Sequence, residues 1–67
     1  MKDWVIEWSE RQGTFHVEQT EAMLDKNRRA YFEARETQFI VLDFADTAEA
    51  AHEVCDALRA ARATEVK

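Results

Sequence analysis

One glycine and no proline in 67 residues leave the backbone few places to break. Glycine supplies the left-handed conformations of tight turns and proline fixes bends, so without them the elements must follow one another through short connections, with no linker, repeat or low-complexity stretch. The chain therefore reads as a single α+β domain over residues 1–67. A domain of this size buries only about 60% of the surface its unfolded chain exposes, so its core is thin and a partner or a second copy strengthens it considerably.

The lone glycine marks the first turn. In residues 3–8 the side chains of Trp4, Ile6 and Trp8 alternate on one face, which predicts a strand; Phe15 and Val17 repeat the pattern in residues 14–18. Between them Ser9-Glu10-Arg11-Gln12-Gly13 places Gly13 where a left-handed residue closes a hairpin. Thr20 then reads as the cap of a helix over residues 20–35, with Glu21 in its first turn and a stripe of Thr20, Met23, Leu24, Asn27, Ala30, Tyr31 and Ala34.

Residues 38–44 are apolar on both alternating faces, Phe39 and Val41 on one and Ile40, Leu42 and Phe44 on the other, as in a strand that wants cover on both sides. Asp46-Thr47-Ala48-Glu49 is a capping-box sequence that opens a last helix, whose apolar stripe is Ala51, Val54, Cys55, Leu58 and Ala61 and whose end carries Arg59 and Arg62. The order is ββαβα, and the expected architecture is a three-stranded sheet with two helices packed on one face. In that arrangement Phe39 and Val41 have no internal element over them, so they mark an association surface, most simply for a homodimer.

Charge narrows the partners. Nine Lys and Arg against fourteen Asp and Glu give a net charge of −5, which repels a phosphate backbone and argues against direct nucleic-acid binding. Cys55, the single cysteine, has no internal disulfide partner, and no apolar run approaches the roughly 18 residues of a membrane span. Met1-Lys2-Asp3-Trp4 shows no signal-peptide pattern, so the expected setting is a reducing cytoplasm with no membrane contact.

Few residues here suggest catalysis. His16, His52 and Cys55 are the nitrogen and sulfur candidates for a transition metal, fewer than a structural zinc site normally takes, so no metal is expected. Cys55 lies on the inward stripe of its helix, and there is neither a nucleophile elbow nor a Gly-rich phosphate loop. Glu7, His16 and Glu18 fall where they could meet across the hairpin, an ordinary polar cluster on a solvated sheet face. With little volume for a pocket of the usual several hundred Å³, the reading is of no catalytic residues, no cofactor and no enzyme.

The last helix carries the most suggestive pattern. At about 100° per residue, Asp46, Glu49, Glu53 and Asp56 fall within an arc of about 80° opposite the apolar stripe. Such an acidic ridge is either a solvated face or an imitation of a nucleic-acid backbone that occupies a basic groove on a partner. Lys26, Arg28 and Arg29 form a basic knot that Asp25 and Glu33 can pair locally, and Asn27 on the apolar stripe needs a hydrogen-bond partner if buried. Trp8, large for so small a core, is a candidate anchor for a partner.

The segment IVLDFADTAEAAHEVCDAL, residues 40–58, resembles the strand-then-helix half of ferredoxin-like modules, RNA-recognition domains among them. The aromatic, basic strand motifs by which those domains stack bases are absent and the opening ββ departs from their βαβ start, so RNA binding is not carried over. WVIEWSERQGTFHVE followed by MLDKNRRAYF resembles in type the small acidic accessory proteins of phages and other mobile elements, anti-CRISPR proteins among them. That resemblance implies a stoichiometric inhibitor without catalytic motifs. The expected function is thus a non-enzymatic module that occupies a basic surface of a nucleic-acid-handling complex through Asp46, Glu49, Glu53 and Asp56. The alternative is a regulatory or adaptor protein, antitoxin-like, that binds a client through its open sheet face at Phe39 and Val41.

Overall fold

A computed structural model describes residues 2–36 and 38–65, Glu65 by its backbone alone. Five elements follow in the expected order: β1 (Trp4–Ser9), β2 (Thr14–Gln19), α1 (Thr20–Phe32), β3 (Phe39–Ala45) and α2 (Ala48–Glu65). The three strands form one antiparallel sheet in the order β2-β1-β3, giving the α+β class read from the sequence. Because β2 and β3 both run against β1, they are parallel to each other with β1 between them, and α1 makes the crossing.

The hairpin closes as its composition requires. Gly13 takes φ +64°, and its N–H bonds the Ser9 carbonyl at 2.8 Å while the Ser9 hydroxyl accepts from Gln12 N–H. Pairing then sets Ile6 against Val17 and Trp8 against Phe15, whose rings meet edge to face at 4.9 Å.

On that face α2 forms the main core. Ile6, Ala45, Ala51 and Cys55 are buried together, with Trp4, Phe15, Val17, Val54 and Leu58 packed around them. The small side chains of Ala51 and Cys55 let the helix lie close to Ile6, and interior density of this kind is what makes a thin core hold. The cap differs from expectation by one residue: Thr47, not Asp46, precedes the helix, its hydroxyl accepting from Ala50 N–H at 3.1 Å and its carbonyl from Ala51 N–H. Ala61, expected on the buried stripe, is exposed.

The helices do not share a face. β1 buries both of its sides: Ile6 points to α2, whereas Val5, Glu7 and Ser9 point the other way, where Lys26 of α1 pairs with Glu7 and Glu18. α1 packs on β1 and β2, α2 on all three strands, and among the described residues the two helices do not touch. The physical reason lies in the Glu7–His16–Glu18 side of the hairpin. Expected to be solvated, it is instead covered by a helix that presents a complementary cation. α1 is also shorter and less buried than its sequence stripe suggests. It ends at Phe32 rather than residue 35; Met23 and Ala30 are buried, but Leu24 is 43% exposed and Tyr31 80%. Gln19 occupies the cap position without a side-chain bond, and the Thr20 hydroxyl donates instead to the Lys2 carbonyl.

β3 carries a bulge. Asp43 pairs with Ile6 and Val41 with Glu7, so Leu42 is the extra residue. The inserted residue reverses the alternation after it: Phe44 pairs with Val5 and thus joins Phe39 and Val41 on the α1 side, rather than Ile40 and Leu42 as its spacing suggested.

Candidate functional site

Three features stand out from the fold: the β3 flank, the acidic ridge of α2 and a buried charge cluster beneath α1. β3 is an edge strand that neither helix covers well. Ile40, Val41, Leu42 and Phe44 are 48%, 40%, 43% and 37% exposed, a run of apolar side chains on both faces of one strand. Of the two residues expected to mark the open face, Val41 is exposed as anticipated. Phe39 is half-buried: the Lys26 ammonium stands 3.6 Å from its ring centroid and the His16 ring lies 5.6 Å away. The open surface is therefore the β3 flank on both sides, not one face of the sheet.

Beside that flank, between β3 and the C-terminal half of α2, runs a groove of about 460 Å³ bordered by Trp8, Phe15, Ile40, Leu42, Leu58 and Arg62. It is larger than the sequence suggested, yet apolar and open. Trp8 is half-buried in its floor, with its indole N–H on the Glu10 carboxylate at 3.2 Å and the Arg62 guanidinium 4.1 Å above its ring. These contacts hold the indole in place as a fixed apolar wall.

Glu49, Glu53 and Asp56 lie on α2 at the predicted helical spacing, whereas Asp46 precedes the helix and is not placed by it. Asp46, Glu49, Glu53 and Asp56 are all exposed. Asp56 pairs with Arg59 one turn on, at 3.0 Å, while Asp46, Glu49 and Glu53 make no ion pair among the described residues.

The third feature was only half visible in the sequence. Glu7, His16 and Glu18 do meet across the hairpin, with ligating atoms within 4.8 Å of one another, but Glu7 is 1% exposed and Lys26 closes the group from above. The Lys26 ammonium bonds Glu18 at 2.5 Å and lies 3.6 Å from Oε1 of Glu7, which has no hydrogen-bond partner among the described residues. Burial, then the hydrogen bond and negative charge of Glu18, raise Glu7 from 4.5 to about 7, against the pull of Lys26. Burial works against the charge of Glu18 as well, but hydrogen bonds from Glu7 and Lys26 hold its carboxyl below the usual value. The arrangement is a proton shared toward an ionised carboxylate, with a lysine as counter-ion. Two carboxylates and an imidazole are also a donor set that takes a divalent ion, and here the Lys26 ammonium is paired with both carboxylates.

Comparison with protein-family models, curated proteins and solved structures finds no match. The function is therefore argued from these surfaces alone.

The acids expected to pair Arg29 pair other arginines, and Arg29 makes no ion pair among the described residues. Arg28 bonds Asp25 at 2.9 Å and Arg35 bonds Glu33 at 2.6 Å, while Lys26 turns inward. Asn27 ties to the Met23 sulfur. Cys55 is buried as a small apolar residue, and His52 is exposed on the outer side of α2. No helix among the described residues is long and apolar enough to cross a membrane.

Proposed function

We propose that this chain is a non-enzymatic protein-binding module that associates through the β3 side of its sheet. The observation that carries the reading is the consecutive exposure of Ile40, Val41 and Leu42 on a strand whose outer edge pairs with no other strand among the described residues. Contiguous apolar surface on a soluble domain favours association, and an unpaired strand edge adds main-chain hydrogen bonds to it. Trp8, in the neighbouring groove, supplies an aromatic anchor, the residue type that dominates binding energy in interfaces. A cytoplasmic setting, with no membrane and no cofactor, belongs to this proposal, since the lone cysteine is buried and unpaired.

A second reading has its own support. The outward ridge of Asp46, Glu49, Glu53 and Asp56 suits an inhibitor, anti-CRISPR-like, that fills a basic nucleic-acid groove of a host complex. The two readings separate in one experiment. The chain, its Val41→Lys variant and its Glu49→Lys/Glu53→Lys variant are used in parallel to capture protein from the cells that encode it, at low and high salt. Loss of the captured protein with Val41→Lys alone supports the β3 reading. Loss with the ridge variant and with salt supports the inhibitor. Capture indifferent to both contradicts both.

A further inference from the structure

We propose that Glu7, His16 and Glu18 form a binding site for one divalent transition-metal ion of the zinc type, which enters by displacing the Lys26 ammonium. The inference goes beyond the β3 reading and does not rest on it. Its first support is placement. Pairing of β1 with β2 sets Glu7 directly across from His16, and Glu18 follows two residues on, along the same strand face. The donors therefore stand on two hydrogen-bonded strands, a firmer frame than a loop supplies. One ligating atom from each residue lies within 4.8 Å of the others, and His16 Nε2 is 3.8 Å from Glu18 Oε1. Ligands at about 2.1 Å around a tetrahedral ion stand about 3.4 Å apart, so small side-chain rotations close the set.

The second support is a buried oxygen with no hydrogen bond. Glu7 is 1% exposed, and its Oε1 has no hydrogen-bond partner among the described residues. Leaving such an atom unsatisfied is costly, and a buried group of this kind calls for an explanation. The oxygen faces into the cluster, toward the ammonium that Glu18 holds. That ammonium stays 3.6 Å away because it is engaged by Glu18 and lies over the Phe39 ring. A metal ion between the two carboxylates reaches both.

Charge and mobility point the same way. Two carboxylates outnumber the single ammonium, whereas a dication matches them. The Lys26 side chain is 32% exposed, and its flexible stem lets the ammonium withdraw to water while α1 stays in place. One imidazole nitrogen with two carboxylate oxygens suits Zn²⁺, Co²⁺ or Ni²⁺ better than Mg²⁺ or Ca²⁺, which take oxygen ligands. Of the other candidates in the sequence, Cys55 is buried in the core beneath α2 and His52 is exposed on that helix, so neither joins the site. The ion clasps β1 to β2 from within the hairpin and carries no reaction.

Titration of Zn²⁺ into the full chain, followed through the NMR signals of the two imidazoles, tests this. The expected result is a saturable change at His16 with His52 unmoved, and a rise in Tm. His52→Gln, at an exposed helix position, assigns the two sets of signals. By calorimetry, His16→Gln should weaken binding by about tenfold or more. Lys26→Met removes the competing cation and should tighten it by about threefold or more, a gain that a purely structural lysine would not give. Zn²⁺ that leaves His16 unmoved, whether it gathers at His52 or binds nowhere, overturns the site. Affinity that does not rise in Lys26→Met, confirmed folded by circular dichroism, overturns the displacement.

Discussion

Lys26 holds its ammonium 3.6 Å from the carboxyl of Glu7, a side chain that is 1% exposed, and this contact joins α1 to the side of the sheet that α2 leaves free. An acid buried on a sheet and answered by a lysine from the covering helix makes the α1 layer sensitive to charge in a way that the Ile6–Cys55 core is not. Breaking such a pair by removing one partner leaves an uncompensated charge, which costs far more than the pair itself contributes.

Lys26→Met keeps the length of the side chain but removes that cation. Unfolding by urea should show a loss of about 2 to 3 kcal/mol above neutral pH, where Glu7 and Glu18 are then both ionised without a counter-ion. The loss should shrink at about pH 5, where Glu7 holds its proton. A loss that is the same at both pH values would show that Lys26 acts only by packing.

The raised Glu7 makes stability fall with rising pH. The folded protein binds a proton on Glu7 more tightly than the unfolded chain does, so the stabilisation is complete below 4.5 and is lost as pH rises through about 7. Glu18, held below its usual value, acts in the opposite sense: its contribution is present above 4.5 and is lost as pH falls through its lower folded value. The two windows do not coincide. Glu7→Gln keeps an N–H donor toward Glu18 and has no charge to desolvate, so it should flatten the stability profile between 4.5 and about 7 and stabilise the chain at the upper end of that range. Chemical unfolding across the pH range measures both.

Thr47→Ala removes the hydroxyl that accepts from Ala50 N–H at the start of α2. The expected cost is about 1 kcal/mol, whereas Asp46→Ala should cost less, because Asp46 lies outside the cap. Equal losses would return the cap to Asp46. Gly13→Ala meets no atom within 4 Å, so its expected cost of about 1 kcal/mol is purely the left-handed backbone at φ +64°.

The elements themselves were legible in the sequence because each rests on a local rule. Trp4, Ile6 and Trp8 alternate, Gly13 supplies a left-handed turn, and Ala51, Val54, Cys55 and Leu58 recur at helical spacing. What the sequence concealed were relations between elements. Lys26 is in the middle of a basic run, and nothing along the chain says that it turns inward to Glu7 rather than pairing on its own helix as Arg28 does. Without that link the Glu7–His16–Glu18 side looked solvated and both helices fell on the other face. The bulge at Leu42 was equally invisible, since an inserted residue appears only when the strand is paired, and it alone moves Phe44 to the side of Phe39 and Val41. The exposure of Val41 has a different cause from a missing layer: the α1 backbone packs on β1 and β2 and reaches β3 only through Lys26 over Phe39. The acidic ridge needed only helical geometry for Glu49, Glu53 and Asp56, while Asp46, exposed as well, lies before the start of α2.

Hydrogen exchange of the β3 amides in the chain alone tests the central claim most directly, because it reads the strand edge itself. The β3 amides that point away from β1 should exchange fast, while those of the central strand at Trp4–Ser9 exchange slowly. High protection at those β3 amides would mean that the edge is closed within one chain, and would contradict the account.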